Sequence, residues 1–164
     1  MTAVVEIPRG GNQKYEVDKA TGLLRLSRVL FSAFEYPFNY GFVPRTLALD
    51  HDPLDILVVG LAAESLSLMT ARPVGMLRML DEGETDDKVL AAPAHDPRYD
   101  EIEDLGDMAE HRLKELHHFF THYKELEEKE TLVTEWLGRE EACREIQASL
   151  DRYGSKFHAA ETAD

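Results

Sequence analysis

The feature that most constrains the fold of this chain is the acidic segment at residues 50–55. It holds Asp50, Asp52 and Asp55 together with Pro53, and it runs directly into the apolar residues 56–60. Proline lacks an N–H group and fixes φ, so this segment fits neither a helix interior nor a central strand. We therefore predict a bent loop that leads into a buried strand. In an extended chain the first two aspartates point to the same side, and a bend at the proline brings the third towards them.

Three carboxylates that converge in this way repel one another unless a cation lies between them. Hard oxygen ligands of this kind suit Mg²⁺ or Mn²⁺. A solvated acidic turn is the simpler interpretation of a short D-x-D motif. An EF-hand is disfavoured because its sixth position requires glycine, where this chain has Asp55. A phosphatase that uses Asp50 as a nucleophile stays open as an alternative.

Length and charge limit the classes of protein to consider. The 164 residues suffice for one domain, and 32 acidic residues against 18 lysines and arginines give a net charge of −14. This charge argues against nucleic acid or an anionic membrane as the main partner. The N-terminus has no basic region followed by an apolar run, so we expect a soluble cytoplasmic protein. The single cysteine, Cys143, excludes an internal disulfide, and its place on an apolar stripe predicts a buried core residue.

The first half of the chain reads as strands. Alternating or continuous apolar residues predict strands at residues 4–7, 14–18, 23–30, 56–60, 74–80 and 88–92, with a further strand at 131–137. The turn residues at 19–22 predict that the second and third strands form a hairpin. Residues 34–44 have prolines on both sides of an aromatic cluster, which predicts an ordered loop. Five or more short strands within about ninety residues indicate a small barrel.

Two helices are predicted after Pro97. The first carries an apolar stripe at Ala109, Leu113, Leu116, Phe120 and Tyr123, with Asp107 as its expected cap; the second carries one at Cys143, Ile146, Leu150 and Tyr153. The expected fold is α+β, a five-stranded barrel with two helices of the C-terminal half packed against it. We expect a single domain over residues 1–164, with residues 155–164 as a flexible tail.

A second acidic cluster, residues 81–87, precedes Lys88. Alone it is typical of a solvated hairpin tip. Two acidic loops at the same end of a barrel can, however, hold several divalent cations and so clamp both oxygens of a phosphoryl displacement. His118 and His122 lie four residues apart on a helix, but no third ligand has matching spacing, so a zinc site is not predicted.

Several motifs in order resemble the family I soluble inorganic pyrophosphatases of bacteria. The resemblance extends from Val5 to about Tyr153. It rests on Glu6-Ile7-Pro8, Lys14-Tyr15-Glu16, Arg28, Tyr36-Pro37-Phe38-Asn39-Tyr40-Gly41, Asp50-His51-Asp52-Pro53-Leu54-Asp55, Arg72-Pro73-Val74-Gly75, Asp81-Glu82-Gly83-Glu84-Thr85-Asp86-Asp87-Lys88 and His118-Phe119-Phe120-Thr121-His122-Tyr123-Lys124. It implies an OB-type barrel and the Mg²⁺-dependent hydrolysis of pyrophosphate to two phosphates.

The resemblance also implies roles for individual residues. Asp52 becomes the general base for a metal-activated water. The ligands of several Mg²⁺ ions, or of Mn²⁺ in their place, become Asp50, Asp55, Asp81 and Asp86. The phosphates are bound by Lys14, Arg28, Tyr40, Lys88, Tyr123 and Lys124, with Glu6 and Glu16 as outer acids of the metal site and Tyr36 behind the substrate-binding residues. A homohexamer is implied as well, with the helix that carries His118 and His122 as an interface candidate.

One position departs from the family pattern, which often has glycine where this chain has His51. If the backbone there requires positive φ, a histidine is strained by about 1 kcal/mol. Our hypothesis is that His51 is accommodated and mildly alters metal affinity or pH response. A non-catalytic module that binds metal or phosphate stays open as a further alternative; it predicts no turnover.

Overall fold

The structure is a computed structural model that describes residues 1–18 and 20–157. Its strands are β1 (Thr2–Ile7), β2 (Gln13–Val17), β3 (Leu24–Val29), β4 (Asn39–Phe42), β5 (Asp55–Val58), β6 (Leu68–Asp81), β7 (Glu84–Thr85), β8 (Lys88–Pro93) and β9 (Thr131–Gly138). The helices are α1 (Glu110–His122) and α2 (Arg139–Phe157), and short 3-10 turns lie at Pro97–Tyr99, Leu105–Asp107 and Glu125–Glu127. None of the described helices is long and apolar enough to cross a membrane.

Five strands form a closed ring in the order β1, β4, β5, β8, β6 and back to β1. The long strand β6 closes the ring because its beginning pairs with β1 and its middle pairs with β8. Among the strands that the structure describes, only β5 and β8 pair in parallel. Strand β9 extends the sheet from β6, and β2 with β3 forms a separate hairpin. The ring confirms the predicted α+β fold with a small five-stranded barrel.

Strands β5 and β8 are neighbouring members of the ring and are buried, which explains their sequences. All six residues of β8 are buried, and Ile56, Leu57 and Val58 of β5 are at most 1 % exposed. Strands buried on both faces read as continuous apolar runs. Lys88, the first residue of β8, is only 1 % exposed and is the charged exception in this row. Its burial is a feature of the site described below.

Helix α1 confirms the predicted apolar stripe over most of its length. Leu116, Phe120 and Tyr123 are buried in the core and Leu113 is half-buried, whereas Ala109 is exposed. The expected cap was wrong. The Asp107 carboxylate accepts hydrogen bonds from the backbone of residues 103 and 104 and so closes a 3-10 turn before the helix. Ala109 is the N-cap residue and makes no side-chain cap bond.

The predicted face of helix α2 was wrong at two of its four positions, whereas Ile146 is partly buried against the core, as predicted. Cys143 is exposed and Leu150 is 37 % exposed, whereas Ala142 and Ser149 are completely buried. The helix packs against β6, and small residues on the buried face allow a helix backbone to approach a sheet closely. The helix also continues to Phe157, three residues into the predicted tail. The remaining tail, residues 158–164, lies outside the described residues.

The predicted loop at residues 34–44 contains a strand. Residues Asn39–Phe42 form β4, which pairs with β1 on one side and β5 on the other. The prolines that suggested a loop, Pro37 and Pro44, lie just outside the strand, so they bound it without interrupting its ladder. Gly41 is required inside it, because a Cβ there would lie 1.8 Å from the carbonyl oxygen of Val4.

Candidate active site

One cavity of about 840 Å³ collects side chains from both halves of the chain. The residues predicted to form the site line this cavity, with one exception. The lining includes Glu6, Lys14, Glu16, Arg28, Tyr36, Tyr40, Asp50, Asp52, Asp55, Asp81, Asp86, Tyr123 and Lys124. The exception is Lys88, which lies buried behind the aspartates it contacts. Ser27, Phe42, Pro53, Glu82, Glu84 and Thr85 complete the wall.

The acidic loop between β4 and β5 is bent, as predicted, but its first residues form a turn instead of an extended stretch. The backbone N–H of Asp52 donates to Oδ1 of Asp50 at 3.0 Å, and the Asp52 carbonyl accepts from the N–H of Ala48 at 2.8 Å. The hydroxyl of buried Thr46 accepts from the N–H of Leu54 at 2.9 Å. These bonds fix the loop at both ends, and both aspartates still face the cavity.

His51 adopts φ of 73°, so the backbone at this position does have the positive φ that the family's glycine suggested. Histidine tolerates this region better than β-branched residues do, but still at a cost. The side chain is exposed on the far side of the loop from the acids, beside residues of helix α2. The histidine is therefore accommodated, and its effect on metal binding stays a prediction.

Lys88 is the centre of the charge network behind the cavity. Its Nζ donates to Oδ2 of Asp55 at 2.7 Å and to Oδ1 of Asp86 at 2.8 Å. The hydroxyl of Tyr40 donates to the same oxygen of Asp55 at 2.6 Å. Burial opposes the charge of the ammonium group, but the two carboxylates outweigh burial and raise the pKa of Lys88 well above its ordinary value. Lys88 is therefore a permanent cation that holds two aspartates together.

The three other predicted cations, Lys14, Lys124 and Arg28, are also paired with acids. Nζ of Lys14 lies 3.1 Å from carboxylate oxygens of both Glu6 and Glu16. Lys124 forms an ion pair with Asp81. These pairs place positive and negative groups side by side along the wall, so an incoming anion competes with carboxylates of the protein for each base.

Arg28 has a partner that the sequence did not indicate. Its Nη2 donates to both carboxylate oxygens of Glu127 at 3.0 Å, and its guanidinium lies 5.7 Å from the ring centroid of Tyr123. Glu127 belongs to a run of acidic residues that resembles a solvated surface, and only the structure shows that its side chain is 11 % exposed. The acid and the ring together fix the direction of the arginine.

Three tyrosines supply neutral donors. Burial raises the pKa of Tyr36, of Tyr40 and of Tyr123, and for Tyr36 and Tyr123 it outweighs the nearby cation Lys88, which lowers the pKa. All three phenols therefore stay protonated at neutral pH. Tyr36 packs 5.0 Å from Tyr40 and 4.8 Å from Phe119 between ring centroids, so it supports the other phenols from behind.

The donor set fits a hard divalent cation. Oδ1 of Asp81 is buried without a hydrogen-bond partner among the described residues, which is costly for a carboxylate oxygen unless a cation satisfies it. The surrounding donors are carboxylates, as Mg²⁺ and Mn²⁺ prefer. No three acids, histidines or cysteines of the described residues lie close enough to chelate an ion in this conformation. Lysine ammonium groups hold several of these carboxylates instead.

A family model described as inorganic pyrophosphatase matches residues 3–154 of the chain. The chain belongs to the inorganic pyrophosphatase family. Its similarity to a soluble inorganic pyrophosphatase of Oryza sativa subsp. indica is 48 % identity over 93 % of this chain and 72 % of that protein. A soluble inorganic pyrophosphatase 2 of Chlamydomonas reinhardtii is 46 % identical over 96 % of this chain and 82 % of that protein.

Solved structures of inorganic pyrophosphatases have the same fold. The enzyme of Thermus thermophilus superposes with a TM-score of 0.89 at 43 % identity, over 93 % of this chain and 90 % of that one. The enzyme of Helicobacter pylori gives a TM-score of 0.89 at 40 % identity, over 93 % and 92 % of the two chains. The resemblance to family I pyrophosphatases that the motifs suggested is thereby confirmed.

Proposed function

We propose that this member of the inorganic pyrophosphatase family hydrolyses pyrophosphate to two phosphates with the help of divalent cations, Mg²⁺ first among them. The observation that supports this reaction is the cavity itself. Its wall brings five aspartates together with Lys14, Arg28 and Lys124. A small, highly charged anion requires both kinds of group, because cations held by carboxylates neutralise it and fixed bases orient it.

The metal ligands we propose are Asp50, Asp55, Asp81 and Asp86. The buried, unpartnered oxygen of Asp81 supports this assignment. When bound, divalent cations supply positive charge that lowers the pKa of water and stabilises charge on the departing phosphate. The carboxylates of Asp55 and Asp86 are already oriented for this role, because Lys88 donates a hydrogen bond to each of them. Tyr40 donates a further hydrogen bond to Asp55. Mn²⁺ suits the same donors.

Asp52 is the proposed general base. Its carboxylate faces the cavity and makes no ion pair or hydrogen bond with another described side chain, so its oxygens are available to a proton. Asp50 differs, because its Oδ1 accepts the backbone N–H of Asp52. Burial raises the pKa of Asp50, but in our assignment this acid would hold a metal ion and is therefore not the base. Asp52 then takes the proton as the oxygen–phosphorus bond forms.

The bases and phenols of the wall bind the two phosphoryl groups in our assignment. We give this role to residues that line the cavity: Lys14, Arg28, Tyr40, Tyr123 and Lys124. Lys88 has a different position from the one expected, because its ammonium group is enclosed by carboxylates. Its predicted contact with phosphate requires those carboxylates to release it, which divalent cations held by the same two aspartates would favour.

We also propose that the protein assembles as a homohexamer, as the resemblance implies, and that it acts in the cytoplasm. Helix α1, which carries His118 and His122, is the proposed interface, and His118 on it is exposed. Light scattering after size-exclusion chromatography tests the assembly, and a mass of one protomer, 18.6 kDa, contradicts it.

The decisive experiment measures phosphate release from pyrophosphate, with Mg²⁺ or with a chelator, for the wild type, Asp52→Asn and Asp50→Asn. Loss of a general base lowers kcat by about 10²-fold to 10⁴-fold. Asp100→Asn is the control, because Asp100 is exposed and outside the cavity. Wild-type turnover that requires Mg²⁺, lost in both site variants and kept in the control, is the expected result.

The phosphate assay, repeated with a phosphomonoester as substrate, separates the alternatives. A phosphatase that uses Asp50 as nucleophile would act on phosphomonoesters and leave phosphate attached to that residue. The closed, mostly antiparallel ring disfavours it, because such an enzyme predicts strands and helices alternating around a parallel sheet. A binding module would retain Mg²⁺ and pyrophosphate without releasing phosphate.

A further inference from the structure

The last turns of helix α2 bond directly to the backbone that precedes the acidic loop. Nε of Arg152 donates to the carbonyl of Leu47 at 2.7 Å, and the N–H of Leu47 donates to the carbonyl of Ser149 at 2.9 Å. Both backbone groups of Leu47 are thus held by a helix about one hundred residues further along the chain. Leu47 is 9 % exposed and Ser149 is fully buried, so water does not readily replace these bonds.

The guanidinium of Arg152 is itself fixed by its own helix. Its Nη2 donates to Oε1 of Glu145 and, at 2.8 Å, to Oγ of Ser149. The Ser149 hydroxyl donates to the same oxygen of Glu145 at 3.1 Å. The planar guanidinium therefore points one nitrogen at the loop while another is anchored, a division of donors that a lysine cannot reproduce.

A short chain of backbone bonds links Leu47 to the acids. The next residue, Ala48, donates its N–H to the carbonyl of Asp52 at 2.8 Å, and its carbonyl accepts the N–H of His51 at 3.2 Å. The Asp52 N–H in turn bonds to the carboxylate of Asp50 at 3.0 Å. A shift of Leu47 is therefore transmitted to the backbone that carries both acids.

We infer that Arg152 is a positioning residue for hydrolysis, which acts through Leu47 and Ala48 to fix Asp50 and Asp52 in the cavity. This inference rests on the proposed function. Residue 152 does not line the cavity that holds these acids. Its effect should fall on the chemical step, because displacement of a catalytic group by about 1 Å can cost roughly 10²-fold in rate.

Arg152→Ala is the test variant, and Arg144→Ala is the matched control. Arg144 lies on the same helix, is 64 % exposed in its side chain, and pairs only with Glu140 and Glu141 of that helix among the described residues. We expect Arg152→Ala to lower kcat about 10-fold with KM changed less than about 2-fold, and Arg152→Lys to be intermediate. The control should leave both constants unchanged.

Hydrogen–deuterium exchange followed by mass spectrometry supplies a readout that does not depend on turnover. Without Mg²⁺, Arg152→Ala should exchange faster in peptides that cover residues 46–54, while peptides from β8 keep wild-type protection. Uniformly faster exchange, or an unchanged kcat in protein that is folded at the assay temperature, overturns the inference. If Arg152→Ala does not fold, Glu145→Gln carries the same test, because it weakens the anchor of the guanidinium.

The two proposals fail in different ways. A wild type that releases no phosphate from pyrophosphate refutes the proposed function, whatever the exchange data show. An active wild type whose Arg152→Ala variant has the same kcat and the same exchange at residues 46–54 refutes the positioning role alone.

Discussion

Replacing Lys88 by methionine tests the charge network behind the site. The ammonium of Lys88 lies between Asp55 and Asp86 and is enclosed by the barrel. Methionine has a similar unbranched stem, so Lys88→Met removes the charge and leaves little empty volume. The two carboxylates then keep their positions without the cation that neutralised them. The fold should lose stability, and the loss should depend on whether another cation is present.

The expected loss in the free energy of unfolding follows from how deeply the ion pairs are buried. Removing one partner of a buried ion pair costs about 3 to 5 kcal/mol. The side chains of Asp55 and Asp86 retain 19 % and 17 % exposure, so water solvates them in part and we expect about 3 kcal/mol, the lower end of that range. For a chain of this length that loss lowers the melting temperature by about 6 to 12 °C. Mg²⁺ bound to the same aspartates should recover much of the difference.

Calorimetric melting at pH 7.5 in a chelator and again in excess Mg²⁺ measures both effects. Lys114→Met is the control, since Lys114 is 67 % exposed in its side chain and pairs only with Glu110 among the described residues. We expect the gap between Lys88→Met and wild type to be wide in the chelator and narrow in Mg²⁺. A variant that melts within about 2 °C of wild type in the chelator, or a gap that Mg²⁺ leaves unchanged, would refute the reasoning.

Three further substitutions probe single contacts. Burial outweighs Lys14 and raises the pKa of Glu6 from its ordinary 4.5, so the folded state favours the protonated acid and wild type loses stability as pH rises above that value. In urea unfolding with a chelator, the free energy of unfolding of Glu6→Gln should therefore rise relative to that of wild type as pH increases from 4.5. A difference between the two proteins that does not change with pH contradicts this. His51→Gly relieves about 1 kcal/mol of strain but frees the unfolded chain by a similar amount, so stability should change by less than about 1 kcal/mol. An unchanged Mg²⁺ dependence and pH profile would remove the idea that His51 tunes metal affinity. Glu127→Ala leaves Arg28 free to move, so binding of pyrophosphate must order this side chain at a cost of about 1 kcal/mol. KM for pyrophosphate should therefore rise about fivefold. A KM equal to that of wild type contradicts the role of this contact.

The parts of the fold that sequence could predict are those whose burial leaves an apolar pattern. Strands β5 and β8 read as continuous apolar runs, and the stripe of helix α1 has clear helical spacing. Helix α2 misled the prediction because its buried face is made of Ala142 and Ser149, which carry little apolar signal, while Cys143 beside them is exposed. Small residues are buried where a helix and a sheet approach each other closely, and that spacing cannot be predicted from the sequence of the helix alone.

The candidate site divides in the same way. The bend of the loop with Asp50, Asp52 and Asp55 was predictable because a proline interrupts it, and three acids within six residues pointed to a cation, which stays a prediction. Lys14 and Arg28 carry no such signal on a hairpin, and only their resemblance to a known family marked them. Glu127 had neither signal, since its importance arises from contact with an arginine 99 positions away.

The balance of charge in the cavity argues for an order of binding. Nine carboxylates and three bases line it, and each of these bases already has an acidic partner. Pyrophosphate alone would therefore meet net negative charge, and the two lysines among these bases would be held by acids of the same wall. In the proposed reaction, cations held by the aspartates would reverse this field and weaken the hold of Asp81 on Lys124. Under this proposal the same event would create the attraction for pyrophosphate and free a base to bind it, so an acidic cavity is compatible with a highly charged anionic substrate.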